Sequence, residues 1–221
     1  MRVIKNRELL AGALGFSIDN IVTSRQEHGN RVRLIDAETL HSDLSYNKIP
    51  KAVADAMITR MPYVCLTIII ADCVPVLLHD TVSGAVGIAH AGWKGTIKRV
   101  AQKTVRALTD EFGSKTENIR AGIGPSIGPC CYEVGQEVIE LVEKNLRHVH
   151  DLVSPEASEN KGYFDLWKAN EQQLIEAGIP QENIEKSGLC TACNHNEFFS
   201  YRHHGRKSGR MAAGIMIKPQ S

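Results

Sequence analysis

Residues 66–95, LTIIIADCVPVLLHDTVSGAVGIAHAGWKG, constrain this chain more than any other stretch. Two apolar runs, 66–70 and 85–89, each lead into a residue with a reactive side chain. Cys73 follows the first run through Ala71-Asp72. His90 follows the second and precedes Ala91-Gly92-Trp93. Short runs rich in β-branched residues predict buried strands over 63–70, 75–78 and 85–89. Thr81-Val82-Ser83-Gly84 is the turn between the last two. Strand ends are where a rigid sheet presents side chains to the loops. A thiol and an imidazole at two such ends therefore predict one shared site.

The surrounding chain supplies helices and further strands. Residues 2–14 carry a loose helical pattern, and 31–37 read as a strand. Residues 40–50 are polar and turn-rich and read as a loop. Ile97, Val100, Ala101, Val105, Leu108 and Phe112 fall on one face of a single amphipathic helix, which Gly113 is placed to stop. A strand over 118–123 precedes the Gly- and Pro-dense loop GIGPSIGPCCYEVG. A helix follows from Val134 to Leu146, and residues 150–162 read as polar and exposed. A third helix over 166–177 ends at Gly178 and Pro180, with short strands expected over 184–189 and 210–218. Helices interleave with strands, and the hairpin-like neighbours around 75–90 call for a mixed sheet. The expectation is an α/β fold, with mixed β-sheet layers flanked by helices and one domain over residues 1–221.

Bulk properties narrow the function. Hydrophobic residues make up 43% of 221, enough for a core without disulfide staples. The 26 basic and 25 acidic residues leave a formal charge of +1, which argues against a dedicated nucleic-acid binder. There is no run of 18 apolar residues, so no membrane span is expected. The N-terminus has no long apolar segment of the signal-peptide kind. Six cysteines in such a chain point to the reducing cytoplasm and to thiol or metal chemistry.

A catalytic zinc takes three protein ligands and keeps one position open. Cys73 and His90 supply two, and His28 is the favoured third. It stands in a Gln-Glu-His-Gly turn where Gly29 is expected to let the chain bend sharply. The spacing is wide and is not a local motif. A lone buried cysteine is more often a small core hydrophobe, and a lone histidine is more often satisfied by a carbonyl. The same atoms also allow a metal-free reading, with Cys73 as nucleophile and His90 as its base. The thiolate would then need a positive group or a helix N-terminus nearby, and the chain after His90 does begin a helix. Both readings stay open at this level.

Other features have bland alternatives. Cys190-Thr-Ala-Cys193 is a CxxC without a second one at matching distance, so buried or loop thiols are expected rather than a zinc ribbon. The vicinal pair Cys130-Cys131 is expected to line a loop wall. The loop over 122–128 could hold an anion on its backbone N–H groups, although turn-making explains it equally well. Tyr201-Arg202-His203-His204-Gly205-Arg206-Lys207 reads as a solvated basic loop, with a phosphate or ribose contact as the alternative. Asp72 could orient a ligand or move a proton, or merely cap.

Taken in order, ADCVPVLL, GIAHAGWKG, GIGPSIGPCCYEVG and FFSYRHHGRKSGR resemble the YfiH/YlmD family. It is also called the multicopper polyphenol oxidase or laccase-domain family, and the purine nucleoside phosphorylase family related to mammalian FAMIN. The resemblance covers about residues 5–217. It implies an α/β fold similar to cysteine-hydrolase-like toxin domains. It also implies a zinc site of His28, Cys73 and His90, the same three residues reached above, with Cys73 and His90 as catalytic residues. Glu27 stands where the family usually has valine. The implied activity is phosphorolysis of adenosine, inosine and methylthioadenosine, together with hydrolytic deamination of adenosine. Purine nucleosides and phosphate are the implied partners, in a cytoplasmic monomer. The older laccase reading implies copper and oxidation of phenols. The family also carries a Gly-Gly-Val-Ser-like segment ahead of the pair matched by Asn6-Arg7. The expectation is that this domain lacks it, with an inactive metal-binding form as a further alternative.

Overall fold

The computed structural model describes residues 2–43, 52–155 and 160–218. In chain order the elements are α1 (Arg2–Leu14), β1 (Ile21–Val22), β2 (Val32–Leu34), α2 (Ala37–Asp43), β3 (Ala56–Thr59) and β4 (Cys65–Ile70). Next come β5 (Val74–Asp80), β6 (Val86–Ala91), α3 (Trp93–Ile97), α4 (Val100–Phe112), β7 (Ile119–Ile123) and β8 (Glu133–Gly135). The last are α5 (Gln136–Asn145), β9 (Val153–Pro155), β10 (Lys161–Phe164), α6 (Leu166–Glu176), β11 (Ile184–Lys186), α7 (Tyr201–His204) and β12 (Met211–Met216).

Six strands form the central sheet in the order β11-β7-β5-β6-β3-β2. Its two outer pairs, β11/β7 and β3/β2, are parallel, and its inner pairs are antiparallel. The sheet is mixed, as the hairpin around 75–90 predicts. A second sheet, β1-β4-β12, and a third, β8-β10-β9, complete the α/β architecture.

Alternation along the strands sorts side chains between two cores. Val74, Val76, Leu78, Ala89 and Ala91 face α4 and α6, where they meet Val105, Leu108, Leu166 and Leu174. Val86, Ile88 and Met57 face the other way, onto Leu66, Ile68 and Ile70 of β4. Each fully buried Leu or Ile contributes about 1.5–3 kcal/mol. His90 shares the parity of Val86 and Ile88, so it lies on the face between the two sheets.

Several local expectations need correction. The helix expected to run from Ile97 to Phe112 is two helices. Arg99 between them takes the left-handed conformation (φ 61°) and its guanidinium pairs with Glu176. Buried side chains of α6 hold the end of α3 beside the break: Asn170 donates to the Thr96 hydroxyl (3.0 Å) and Gln173 to the Thr96 carbonyl (2.7 Å). Gly113 does end α4, at φ 67°. Within 150–162, of which 156–159 lie outside the described residues, the chain is not simply exposed: it holds β9 and part of β10, and Leu152 is buried. The strand over 31–37 is shorter, because Asp36 and Thr39 bond each other's backbone and start α2. The remainder of the loop expected at 40–50 lies outside the described residues beyond position 43.

Candidate metal centre

Strand register assembles the site. Pro75 pairs with His90 in the β5/β6 ladder, and Ala56 pairs with Ala89 in β3/β6. One step further, Asp55 sits opposite His90, and its carbonyl accepts the His90 N–H at 2.7 Å. The same step places Gly92 opposite Cys73. A Cβ at Gly92 would stand 2.8 Å from the Cys73 sulfur and 3.0 Å from His28 Cδ2. Only glycine leaves room for those two side chains to meet there.

His28 arrives from the segment before β2. Gln26 anchors that segment: its amide donates to the Ile69 carbonyl (2.9 Å) and accepts from the Ile69 N–H (2.8 Å). The side chain thus pairs with the edge of β4 as a neighbouring strand would. His28 itself takes the left-handed conformation (φ 56°), so the bend expected from Gly29 belongs to the histidine. Gly29 serves another need, since a Cβ there would stand 3.2 Å from a carboxylate oxygen of Asp55.

That carboxylate, missed in the sequence, organises the whole centre. Asp55 accepts from the N–H groups of His28 (2.8 Å), Gly29 (2.7 Å) and Glu27 (3.3 Å). Its Oδ1 also contacts His90 Nδ1 at 2.9 Å. Asp55 and His90 are both buried. Burial opposes the charge on Asp55, but His90 and the backbone donors outweigh it and keep the carboxyl below its ordinary range. The only sequence signal was an acidic residue among the small residues entering a strand, and it is too weak to pick out.

The structure brings His28, Cys73 and His90 together. One donor atom from each lies within 4.8 Å of the others, with Cys73 Sγ 3.8 Å from His28 Nε2. With Nδ1 held by Asp55, His90 has Nε2 left to face the group. Burial alone would raise the Cys73 thiol, but His28 and His90 overcome it and bring it to about 7. Burial alone would lower His90, yet Asp55 and Cys73 raise it to about 9. A softened thiolate, two imidazoles and a carboxylate behind one of them form a donor set suited to a transition metal.

The trio lies on the wall of a cavity of about 600 Å³. Trp93, Ile127, Tyr132 and Tyr201 provide apolar and aromatic surface, and Arg202 and Arg210 provide positive charge. Arg202 stacks over Tyr132 at 5.3 Å. Asp72, also left-handed (φ 83°), accepts from the Arg202 N–H and from the Thr191 hydroxyl, both at 2.6 Å. It ties the loop at Cys73 to the segments carrying Thr191 and Arg202. The basic cluster over 201–207 is thus partly a pocket wall. The loop over 122–128 does not present an anion nest. The N–H groups of Gly124, Ser126, Ile127 and Gly128 are spent on Pro75 O, Leu189 O, Asp72 O and Cys190 Sγ.

Two other groups converge among the described residues. Cys130, Cys131, Cys190 and Cys193 form one, against the expectation of separate loop thiols. His195, His203 and His204 form the other, with the rings of His195 and His203 stacked at 3.6 Å.

Residues 1–218 match the family described as multi-copper polyphenol oxidoreductase laccase. The chain belongs to that family. A member named adenosine deaminase RL5, from an unknown prokaryotic organism, is 38% identical over 218 residues, covering 99% of this chain and 83% of the relative. A Bacteroides thetaiotaomicron member named purine nucleoside phosphorylase is 38% identical over 216 residues, covering 98% and 80%. Among solved structures, YfiH of Bacillus licheniformis superposes with a TM-score of 0.91 at 37% identity, covering 98% and 81%. YlmD of Geobacillus stearothermophilus superposes at 0.90 with 32% identity, covering 98% and 80%. The laccase-family fold and the YfiH/YlmD resemblance read from the motifs are both correct. Among the described residues, no helix is long and apolar enough to cross a membrane.

Proposed function

We propose that this chain is a zinc-dependent purine nucleoside phosphorylase, acting on adenosine, inosine and methylthioadenosine, with adenosine deaminase activity. One observation carries the reading. His28, Cys73 and His90 converge on the wall of a nucleoside-sized cavity in a chain whose relatives are named for these two activities.

His28, Cys73 and His90 would hold the metal. When bound, zinc acts as a Lewis acid and lowers the pKa of a nearby water to about 7. The chain's own groups do the rest. Asp55 holds His90 in the tautomer that keeps Nε2 free, and it clamps the turn that carries His28. Trp93, Tyr132 and Tyr201 offer faces against which a purine can pack. Arg202 and Arg210 spend part of their donor sets on backbone carbonyls at Cys131, Glu133, Ser208 and Gly209. Their remaining N–H groups can take a phosphate. In phosphorolysis the phosphate oxygen bonds to the ribose C1′ as the bond to the purine nitrogen breaks, and that nitrogen gains a proton. In deamination water replaces the exocyclic amine, and ammonia leaves.

The test is turnover by metal-replete protein supplied with adenosine and phosphate. Adenine with ribose 1-phosphate, and inosine with ammonia, are expected, and Cys73→Ala abolishes both. Arg210→Ala should raise the KM for phosphate about tenfold with metal content unchanged. No product above the Cys73→Ala background rejects the reading.

A copper-dependent phenol oxidase is the second reading, favoured by the donor set itself. One thiolate with two imidazoles also suits copper. Copper in the purified protein, with oxygen uptake on phenols, would select it.

A further inference from the structure

The four-cysteine group lies apart from the His28–Cys73–His90 trio and is fixed by the fold. Two distant segments carry it. Cys130 and Cys131 follow the Gly/Pro loop after β7, and Cys190 and Cys193 follow β11. The two segments are pinned together beside the sulfurs. Ser126 and Cys190 form a parallel bridge, with Ser126 N–H donating to Leu189 O and Thr191 N–H to Ser126 O. Neither sulfur pair is left to chance encounter.

The sulfur geometry points to a cation. Cys193 Sγ lies 3.5 Å from Cys130 Sγ and 3.4 Å from Cys131 Sγ, and all four sulfurs lie within 4.8 Å of one another. With Zn–S near 2.3 Å, a tetrahedral four-sulfur site has edges of about 3.8 Å. A disulfide would unite only two sulfurs, at about 2.0 Å. Four mutually close sulfurs match one shared centre rather than two bonds.

A second feature is independent of those distances. Cys190, the buried member, accepts the Gly128 N–H at 3.2 Å, so its sulfur is held in place by the backbone. A backbone donor on one sulfur fixes where that sulfur sits, as groups behind the ligands do in metal sites. Gly128 is glycine because a Cβ would stand 2.7 Å from the Trp167 ring and 3.3 Å from Cys190 Cβ.

We propose that Cys130, Cys131, Cys190 and Cys193 bind a structural zinc ion in a closed four-thiolate site. The ion ties the loop carrying Ile127 and Tyr132 to the segment leading to Tyr201 and Arg202. Both segments line the cavity. Binding releases the protons of those thiols that are still protonated. All four positions are filled by protein, so the site holds structure rather than substrate.

Metal analysis of the full chain tests this. The Cys73→Ala variant, which lacks the sulfur of the other centre, should keep one zinc per chain. Adding Cys193→Ser should remove it. Loaded with Co2+, Cys73→Ala should show intense thiolate-to-cobalt charge-transfer bands together with tetrahedral d–d bands. Cys193→Ser or Cys130→Ser in that background should abolish the four-sulfur spectrum. The Cys73→Ala measurement leaves the cluster unaltered, so it does not depend on whether the serine variants fold. It also reads the cluster separately from nucleoside turnover. Cys73→Ala protein with neither zinc nor cobalt bands, and four alkylatable thiols at these positions, overturns the proposal. So does an intact mass that has lost two hydrogens for each bridged pair.

Discussion

The Asp55 carboxylate meets His90 Nδ1 at 2.9 Å while capping the turn that carries His28. One buried acidic side chain therefore positions two of the three candidate metal-binding residues. It is a positioning residue, since its oxygens face the histidine ring and the backbone rather than the cavity. Asp55→Asn should weaken zinc binding about 10–100-fold and cost about 3 kcal/mol of stability, because a buried pair loses one partner. Chelator competition and thermal melting give the two values. Unchanged zinc affinity would remove Asp55 from this role.

Gly92 faces the sulfur of Cys73 with no space between them. In Gly92→Ala the new methyl group would stand 2.8 Å from Sγ and 3.0 Å from the His28 ring. The trio must spread, and zinc affinity should fall at least about tenfold. Gly12 is the control, an exposed residue of α1 with nothing within 4 Å of its Cβ position. Gly12→Ala should stabilise the protein by about 0.5–1 kcal/mol and leave metal binding alone. Equal metal affinity in both variants would show that the close approach is not needed.

Protons compete for the trio. Cys73 loses its proton near pH 7, and His90 keeps one to about 9. A ligand must be deprotonated to bind metal. Zinc affinity should therefore rise as pH climbs through about 7, and rise again towards about 9. Affinities measured by chelator competition across that range check the sign. A flat profile would contradict it.

Asp80 closes the turn between β5 and β6. Burial opposes its charge, but the Ser83 and Ser114 hydroxyls and the N–H groups of Val82 and Ser83 outweigh it and bring its pKa to about 2. The ordinary carboxylate value is 3.8. Its folded-state pKa is depressed, so its contribution is complete above 3.8. That contribution disappears as pH falls to about 2. A displacement of this size corresponds to about 2 kcal/mol. Asp80→Asn should lower stability near neutrality and flatten the loss in acid, read from denaturant midpoints against pH. Parallel acid profiles for the two proteins would assign the acid sensitivity elsewhere.

The chain alone determined the hairpin of β5 and β6, the helical stripes and the positions of Cys73 and His90 at strand ends. Those features are local, because apolar runs, turn residues and period-2 alternation are written in neighbouring positions. His28 could be named as a candidate, but its meeting with Cys73 could not be read from a 45-residue separation. Tertiary structure alone decided the roles of Asp55 and Gln26, the break at Arg99 and the gathering of four cysteines. Each depends on which strands pair, in what register, and where two loops cross. Asp55 matters because β3 lies beside β6, and Cys131 meets Cys193 because the loop after β7 is bridged at Ser126 to Cys190. Contacts between residues 35 or more positions apart are set by the packed sheets, and no local pattern encodes them.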